Sequence, residues 1–142
     1  MTQTRQAACS CGAVRIEVQG APVSEGFCHC ASCRAFTAQP VTAYALWPRE
    51  RVAIVAGADR LGASPRNGAT TNRFCTLCGG NLMIELRGGA MFDVFPMIVA
   101  GHEFRPAAHI NYAERVLDMP DGLPKFRDMP ERAGGSGELV AE

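Results

Sequence analysis

The sequence predicts a mainly β fold of small packed antiparallel sheets, stapled by a four-cysteine metal site. Three observations predict it. Apolar residues alternate in short runs cut by Gly and Pro, no stretch carries a long helical period, and seven cysteines fall into three tight clusters. Alternation with period two is the mark of a half-buried strand.

The elements follow in chain order. Val14, Ile16 and Val18 alternate with Arg15, Glu17 and Gln19, which predicts the first strand. Ala31 to Thr37 supplies one short helix. Residues 42–47 and 52–55 read as two further strands, broken by Pro48, which cannot donate to a ladder. Thr70 to Phe74 leads into the last cysteine pair. Leu82, Ile84 and Leu86 alternate with Met83, Glu85 and Arg87, and Gly88-Gly89 predicts a two-residue hairpin turn into residues 91–95. The run Ala133-Gly-Gly-Ser-Gly137 predicts a flexible tail over 131–142, leaving 1–130 as one metal-binding domain.

Composition narrows the function. The 142 residues are enough for one domain with a real core, with 47% apolar and 20% charged. Fourteen basic residues cancel fourteen acidic ones. The chain lacks the basic surplus of non-specific phosphate binding, so nucleic acid is not an expected partner. No window approaches the roughly 18 apolar residues of a membrane span, so no membrane is expected either. The first nine residues contain no apolar signal core, and the expectation is a cytoplasmic protein. In a reducing compartment, seven cysteines read as metal ligands or reactive thiols rather than disulfides. Nothing in the sequence specifies the oligomeric state.

The clusters are Cys9-Ser-Cys11-Gly12, Cys28-His-Cys30-Ala-Ser-Cys33 and Cys75-Thr-Leu-Cys78-Gly79. Spacings of two and three let neighbouring sulfurs converge on one ion about 2.3 Å away. A glycine after Cys11 and after Cys78 allows the backbone to turn tightly behind a metal and aim N–H groups at sulfur. A structural zinc takes four closed ligands, whereas a working zinc keeps three and an exchangeable position. The glycine-followed pairs supply four, Cys9, Cys11, Cys75 and Cys78; the middle triplet supplies Cys28, Cys30 and Cys33. Two zinc ions per chain are therefore expected, one structural and one open. Inert buried thiols, an iron or iron–sulfur centre, and a redox dithiol at Cys30 and Cys33 are the competing readings.

Zinc on three thiolates carries a formal charge of about −1, which makes it a poor generator of hydroxide. Its soft ligands suit a fourth sulfur, and a thiol bound there is held as the nucleophilic thiolate. The chemistry favoured is addition of a thiol to an electrophile, or the reverse. His29 lies between two ligands, with its ring expected to point away from their ion. His102 and His109 read first as structural histidines. Arg34 is either a solvated side chain or a clamp for a substrate carboxylate. Phe27, Phe36 and Trp47 serve as core or as pocket wall.

These residues together resemble the glutathione-dependent formaldehyde-activating enzyme family, which shares its domain with centromere protein V. The segments that carry the resemblance are Cys9-Ser-Cys11-Gly12-Ala-Val14, Cys28-His-Cys30-Ala-Ser-Cys33-Arg34 and Phe74-Cys75-Thr-Leu-Cys78-Gly79-Gly-Asn-Leu82. Arg105-Pro-Ala-Ala-His109-Ile110 and Asp121-Gly-Leu-Pro-Lys-Phe126 resemble the family's ending. The resemblance implies a fold of the β-tent type and the same two ligand sets, with the triplet as catalytic zinc. It also implies a carbon–sulfur lyase whose partners are a small-molecule thiol such as glutathione and a small aldehyde, formaldehyde. A non-enzymatic zinc-binding or protein-interaction module and a redox-sensing zinc switch are the alternatives.

Overall fold

The computed structural model describes residues 2–142, which divide into two compact units. One comprises the chain up to Ser24 together with Ala45–Phe104; the other comprises Glu25–Tyr44 and Arg105–Glu142. The fold is mainly β, with small antiparallel and mixed sheets and one α-helix. Among the described residues no helix is long and apolar enough to cross a membrane.

In the first unit, β1 (Thr4–Ala8), β2 (Arg15–Gln19) and β5 (Val52–Ala56) form an antiparallel sheet in the order β1-β2-β5. The alternation read in β2 becomes geometry: Ile16 and Val18 are buried, while Arg15 and Gln19 face water. The last residues of β4 (Thr42–Pro48) pair with β9 (Met91–Val94). Beyond β9 follow β8 (Asn81–Leu86), β7 (Thr71–Cys75) and β6 (Leu61–Pro65), all antiparallel. Pro48 ends β4 as expected, and a 3-10 turn over Arg49–Arg51 leads into β5. The β8–β9 connection departs from the two-residue hairpin. Leu86 pairs with Met91, leaving four residues between, three of which (Arg87, Gly88 and Gly89) take positive φ. A run of that length needs a longer loop than the I′ turn that Gly-Gly suggests.

One core serves this unit. Val14, Ile16, Val18, Trp47, Leu82, Met83, Phe92 and Val94 pack in a single cluster that also contains Cys9 and Cys75. Burying side chains of this size stabilises the fold by about 1.5–3 kcal/mol each. Trp47 is fully buried, and its indole N–H is satisfied by the Gly20 carbonyl at 3.0 Å.

In the second unit, β3 (Ser24–Cys28) pairs in parallel with the short β10 (His109–Ile110), with Phe27 opposite His109 and Cys28 opposite Ile110. Gly26 is required by close packing. A Cβ there would lie 2.3 Å from the Ala108 carbonyl and 2.9 Å from the Tyr44 hydroxyl. Helix α1 (Ala31–Thr37) starts immediately after Cys30 and ends at Ala38 in the left-handed region. Residues 131–142, expected as a flexible tail, include a turn and several hydrogen bonds. A 3-10 turn spans Glu131–Ala133, Phe126 bridges Leu139, and the Val140 N–H donates to the Lys125 carbonyl at 2.8 Å. The glycine-rich composition suits the turns within this segment, where Gly134 and Gly137 take positive φ.

Candidate metal centres

The structure gathers the seven cysteines into two groups, Cys9, Cys11, Cys75 and Cys78 in one unit and Cys28, Cys30 and Cys33 in the other. Within each group all sulfurs lie within 4.8 Å of one another, and none of the seven is in a disulfide.

The four-cysteine group has the dimensions of a tetrahedral thiolate site. Four sulfurs at about 2.3 Å from a central zinc stand about 3.8 Å apart. Cys9 and Cys11 sulfurs are 3.7 Å apart, and those of Cys11 and Cys75 are 3.8 Å apart. Each cysteine pair sits on a tight turn. The Gly12 N–H returns to the Cys9 carbonyl at 3.0 Å, and the Gly79 N–H to the Cys75 carbonyl at 2.8 Å. Both glycines are left-handed, with φ +77° and +74°, which explains why glycine follows each pair. The turns bring backbone donors onto sulfur. Val14 N–H reaches Cys9 Sγ and Gly80 N–H reaches Cys78 Sγ, both at 3.3 Å. Cys9 and Cys75 belong to the buried core, while Cys11 and Cys78 face outward.

The sulfurs also disturb one another's protons. Burial opposes ionisation of Cys9, but the Val14 N–H and the neighbouring thiols of Cys11 and Cys75 bring it below the ordinary thiol value. The Ser10 side chain and the N–H groups of Cys11 and Gly80 pull Cys78 down to about 5. The Ala13 N–H favours the Cys11 thiolate, yet burial and the three adjacent sulfurs push it up to about 11. Thiols held this close cannot all ionise by themselves, whereas a bound cation makes four thiolates the stable state. Spacing, donors and charge all fit zinc.

The triplet is built from the end of β3 and the start of α1. Cys28 and Cys33 are buried, and Cys30 is partly exposed. Cys30 occupies the cap position of α1, where its sulfur accepts the Cys33 N–H at 3.2 Å. The Asn111 side-chain amide donates to Cys28 Sγ at 3.5 Å. The adjacent thiols of Cys30 and Cys33, followed by burial, push the Cys28 thiol far above the ordinary range. Three soft donors with one outward-facing member fit a zinc that keeps a fourth position for a ligand.

Neither His29 nor His109 joins this group. Both rings are fully buried and hydrogen-bond each other, His29 Nε2 to His109 Nδ1 at 2.8 Å. His109 Nε2 lies 2.7 Å from Asp121, which also accepts from Lys125 Nζ at 2.8 Å. An ionised Asp121 accepts a hydrogen bond from His109 Nε2–H. Burial, then the charges of His109, Arg115, Arg34 and Lys125, lower the His29 pKa to about 4, so the ring is neutral near pH 7. Burial works against the Asp121 carboxylate, but hydrogen bonds from Lys125 and His109 outweigh it and hold its pKa well below the usual range. Phe27 stacks on His109, and Tyr112 meets His29 edge-on.

Arg34 is engaged with backbone. Its Nε donates to the His29 carbonyl at 3.3 Å and its Nη2 to the Glu114 carbonyl at 3.1 Å. His102 lies in the other unit, edge-on to the core Trp47. Asn111 and Glu114 escaped the sequence reading, and Asp121 and Lys125 entered it only as part of the family-like ending, with no role. Asn111 carried one signal, since a non-glycine residue in a left-handed turn is most often Asn or Asp.

A family model described as glutathione-dependent formaldehyde-activating enzyme matches residues 4–114, most of the chain. Among solved structures, a crystal structure of a Rhodobacter sphaeroides protein from a structural-genomics programme matches with a TM-score of 0.59. It is 24% identical, and the match covers 69% of this chain and 90% of that one, a likeness that speaks for the fold. No curated protein matches.

Proposed function

This chain belongs to the glutathione-dependent formaldehyde-activating enzyme family, and from that premise we propose that it is a zinc-dependent carbon–sulfur lyase acting on thiol–aldehyde adducts. The reaction adds a thiol, R–SH, to the carbonyl carbon of a small aldehyde. With formaldehyde the sulfur–carbon bond forms as the carbonyl π pair moves to oxygen, and the thiol proton is replaced by one on oxygen, giving R–S–CH2–OH. The lyase direction reverses each change. No electrons are gained or lost overall, so no redox partner is needed.

The observation that carries this reading is the contrast in ligand number: four sulfurs in one group and three in the other. Cys9, Cys11, Cys75 and Cys78 would hold a structural zinc. Cys28, Cys30 and Cys33 would hold the second, which supplies a position where a thiol such as glutathione is kept as thiolate at neutral pH. The chain's own residues prepare that place. Cys30, the partly exposed member, leaves the triplet approachable, while burial of Cys28 and Cys33 limits water. Arg34 ties the cysteine loop to the Tyr112–Glu114 turn, and the Ala31 N–H bonds the Glu114 carboxylate at 3.1 Å, so the ligand loop is fixed before substrate arrives.

A native mass spectrum with and without glutathione tests the reading. Two zinc ions per chain are expected, with a glutathione adduct that a Cys30→Ser variant does not form. An adduct of equal intensity in that variant would refute the triplet's role. Formation of S-hydroxymethylglutathione, followed by NMR, checks the reaction itself.

A further inference from the structure

We infer that Asn111 is a positioning residue of the triplet: its side-chain amide, aimed by a left-handed backbone, donates to the Cys28 sulfur and sets how tightly the triplet holds its metal. The inference rests on the triplet being a metal site.

Asn111 is held on both sides. Its backbone is left-handed, with φ 52° and ψ 37°, a conformation that Asn adopts far more readily than most residues. Its backbone N–H donates to the Asp128 carbonyl at 2.6 Å. The Tyr112–Glu114 turn that it opens is anchored to α1 through Glu114, which accepts the Ala31 N–H with its carboxylate and the Arg34 Nη2 with its carbonyl. The backbone thus delivers the amide to Cys28 Sγ at 3.5 Å, with Met129 Sδ at 4.0 Å on the same nitrogen.

The chemistry follows from charge. Three thiolates on one divalent ion leave about one surplus negative charge, and a further thiolate adds another. An N–H aimed at sulfur draws part of that charge away and orients the ligand. At Cys30 the donor is the backbone N–H of Cys33, which any substitution there other than proline retains. At Cys28 the donor is a side chain, so it can be removed cleanly. Outer partners of this kind are worth about 10–100-fold in metal affinity.

Two variants separate the amide from the backbone. Asn111→Gly accepts the same left-handed conformation and lacks the donor. Asn111→Asp keeps shape and turn preference but presents an acceptor, and a negative charge, to the thiolate. The full-length chain and both variants would be loaded with cobalt(II) and titrated with a chelator, the four-cysteine group serving as internal reference. The expected result is a loss of about tenfold at the triplet in Asn111→Gly and up to about 100-fold in Asn111→Asp, with the reference site unchanged. The thiolate-to-cobalt charge-transfer band should move to lower energy in Asn111→Gly, a shift that a purely structural role would not produce. Wild-type affinity and an unmoved band in Asn111→Gly would overturn the role of Asn111 alone, whatever Asn111→Asp does. Failure of Asn111→Gly to fold would overturn it too, because glycine accepts that backbone. A wild-type chain that takes up one ion only would overturn the triplet as a metal site, and this inference with it.

Discussion

Cys9 and Cys75 lie inside the apolar core of their unit, and the backbone amides of Val14 and Gly80 serve two of that group's four sulfurs. The triplet has three sulfurs, one of them partly exposed, and the donor to Cys28 is the movable side chain of Asn111. On the proposed reading, the same ligand atom and similar spacings give two different devices. Four sulfurs, two of them surrounded by core, would hold a metal that serves folding, and three sulfurs at a strand end and a helix start would leave the shell open for a ligand. On that reading, ligand number and the surroundings decide the role more than the identity of the donor atom does.

The largest expected effect comes from Cys75→Ser. Structural zinc contributes on the order of 10 kcal/mol to domains of this kind, and Cys75 is fully buried. The variant should lose the reference zinc and its cooperative thermal transition, whereas Cys30→Ser should lose only the triplet's ion and melt nearly as the wild type. Calorimetry with zinc counting decides it; a Cys75→Ser chain that melts normally would erase the distinction between the groups.

Gly12→Ala is expected to cost about 1 kcal/mol. A Cβ there meets nothing within 4 Å, so the whole penalty is that of φ +77°. Denaturant unfolding should show it, with the triplet's affinity unaltered. A loss several times larger would mean that the turn does more than shape the four-cysteine group.

A further effect concerns pH. Burial pushes the Asp93 pKa up to about 7, against the pull of the Ala45 N–H and the charge of Arg66. A carboxyl raised in the folded state contributes stability that is full below its unfolded value near 4 and is lost as pH rises through about 7. Asp93→Asn can retain an acceptor for Ala45 and has nothing to ionise. Its Tm should therefore decline less than the wild type's between pH 4 and 8, ending a few degrees higher. Parallel Tm–pH curves would show that Asp93 does not titrate in that window.

Much of this was legible in sequence because it is local. Strands β2, β4, β5, β7, β8 and β9 announce themselves by alternation or by β-branched and aromatic runs, and α1 begins and ends at Ala31 and Thr37 as read. Strands β1, β3, β6 and β10 did not. The polar Thr4–Ala8 and the exposed Leu61–Pro65 have weak patterns, since they pair mainly through backbone. Strand β3 contains Gly26, which is there for close packing rather than strand propensity, and the two residues of β10 exist only through their register with β3. The cysteine spacings carried the candidate ligand sets for the same reason, since ligand pairs are short-range motifs. The partners of those ligands are long-range: Asn111 reaches Cys28 across 83 positions, and His109 meets His29 across 80. No periodicity encodes such meetings. Glycine content, the basis for expecting a flexible tail, reports turn-making as readily as disorder.

The most direct test of the two-device account is a native mass spectrum recorded while a chelator is titrated into the zinc-loaded chain. Zinc should leave in two steps, with the triplet's ion going first. Cys30→Ser should lack that first step and keep the second, and glutathione should attach only to species that still hold both ions. A single step removing both ions together, or a Cys30→Ser variant that lacks the tightly held ion, would contradict the assignment of a closed site and an open one.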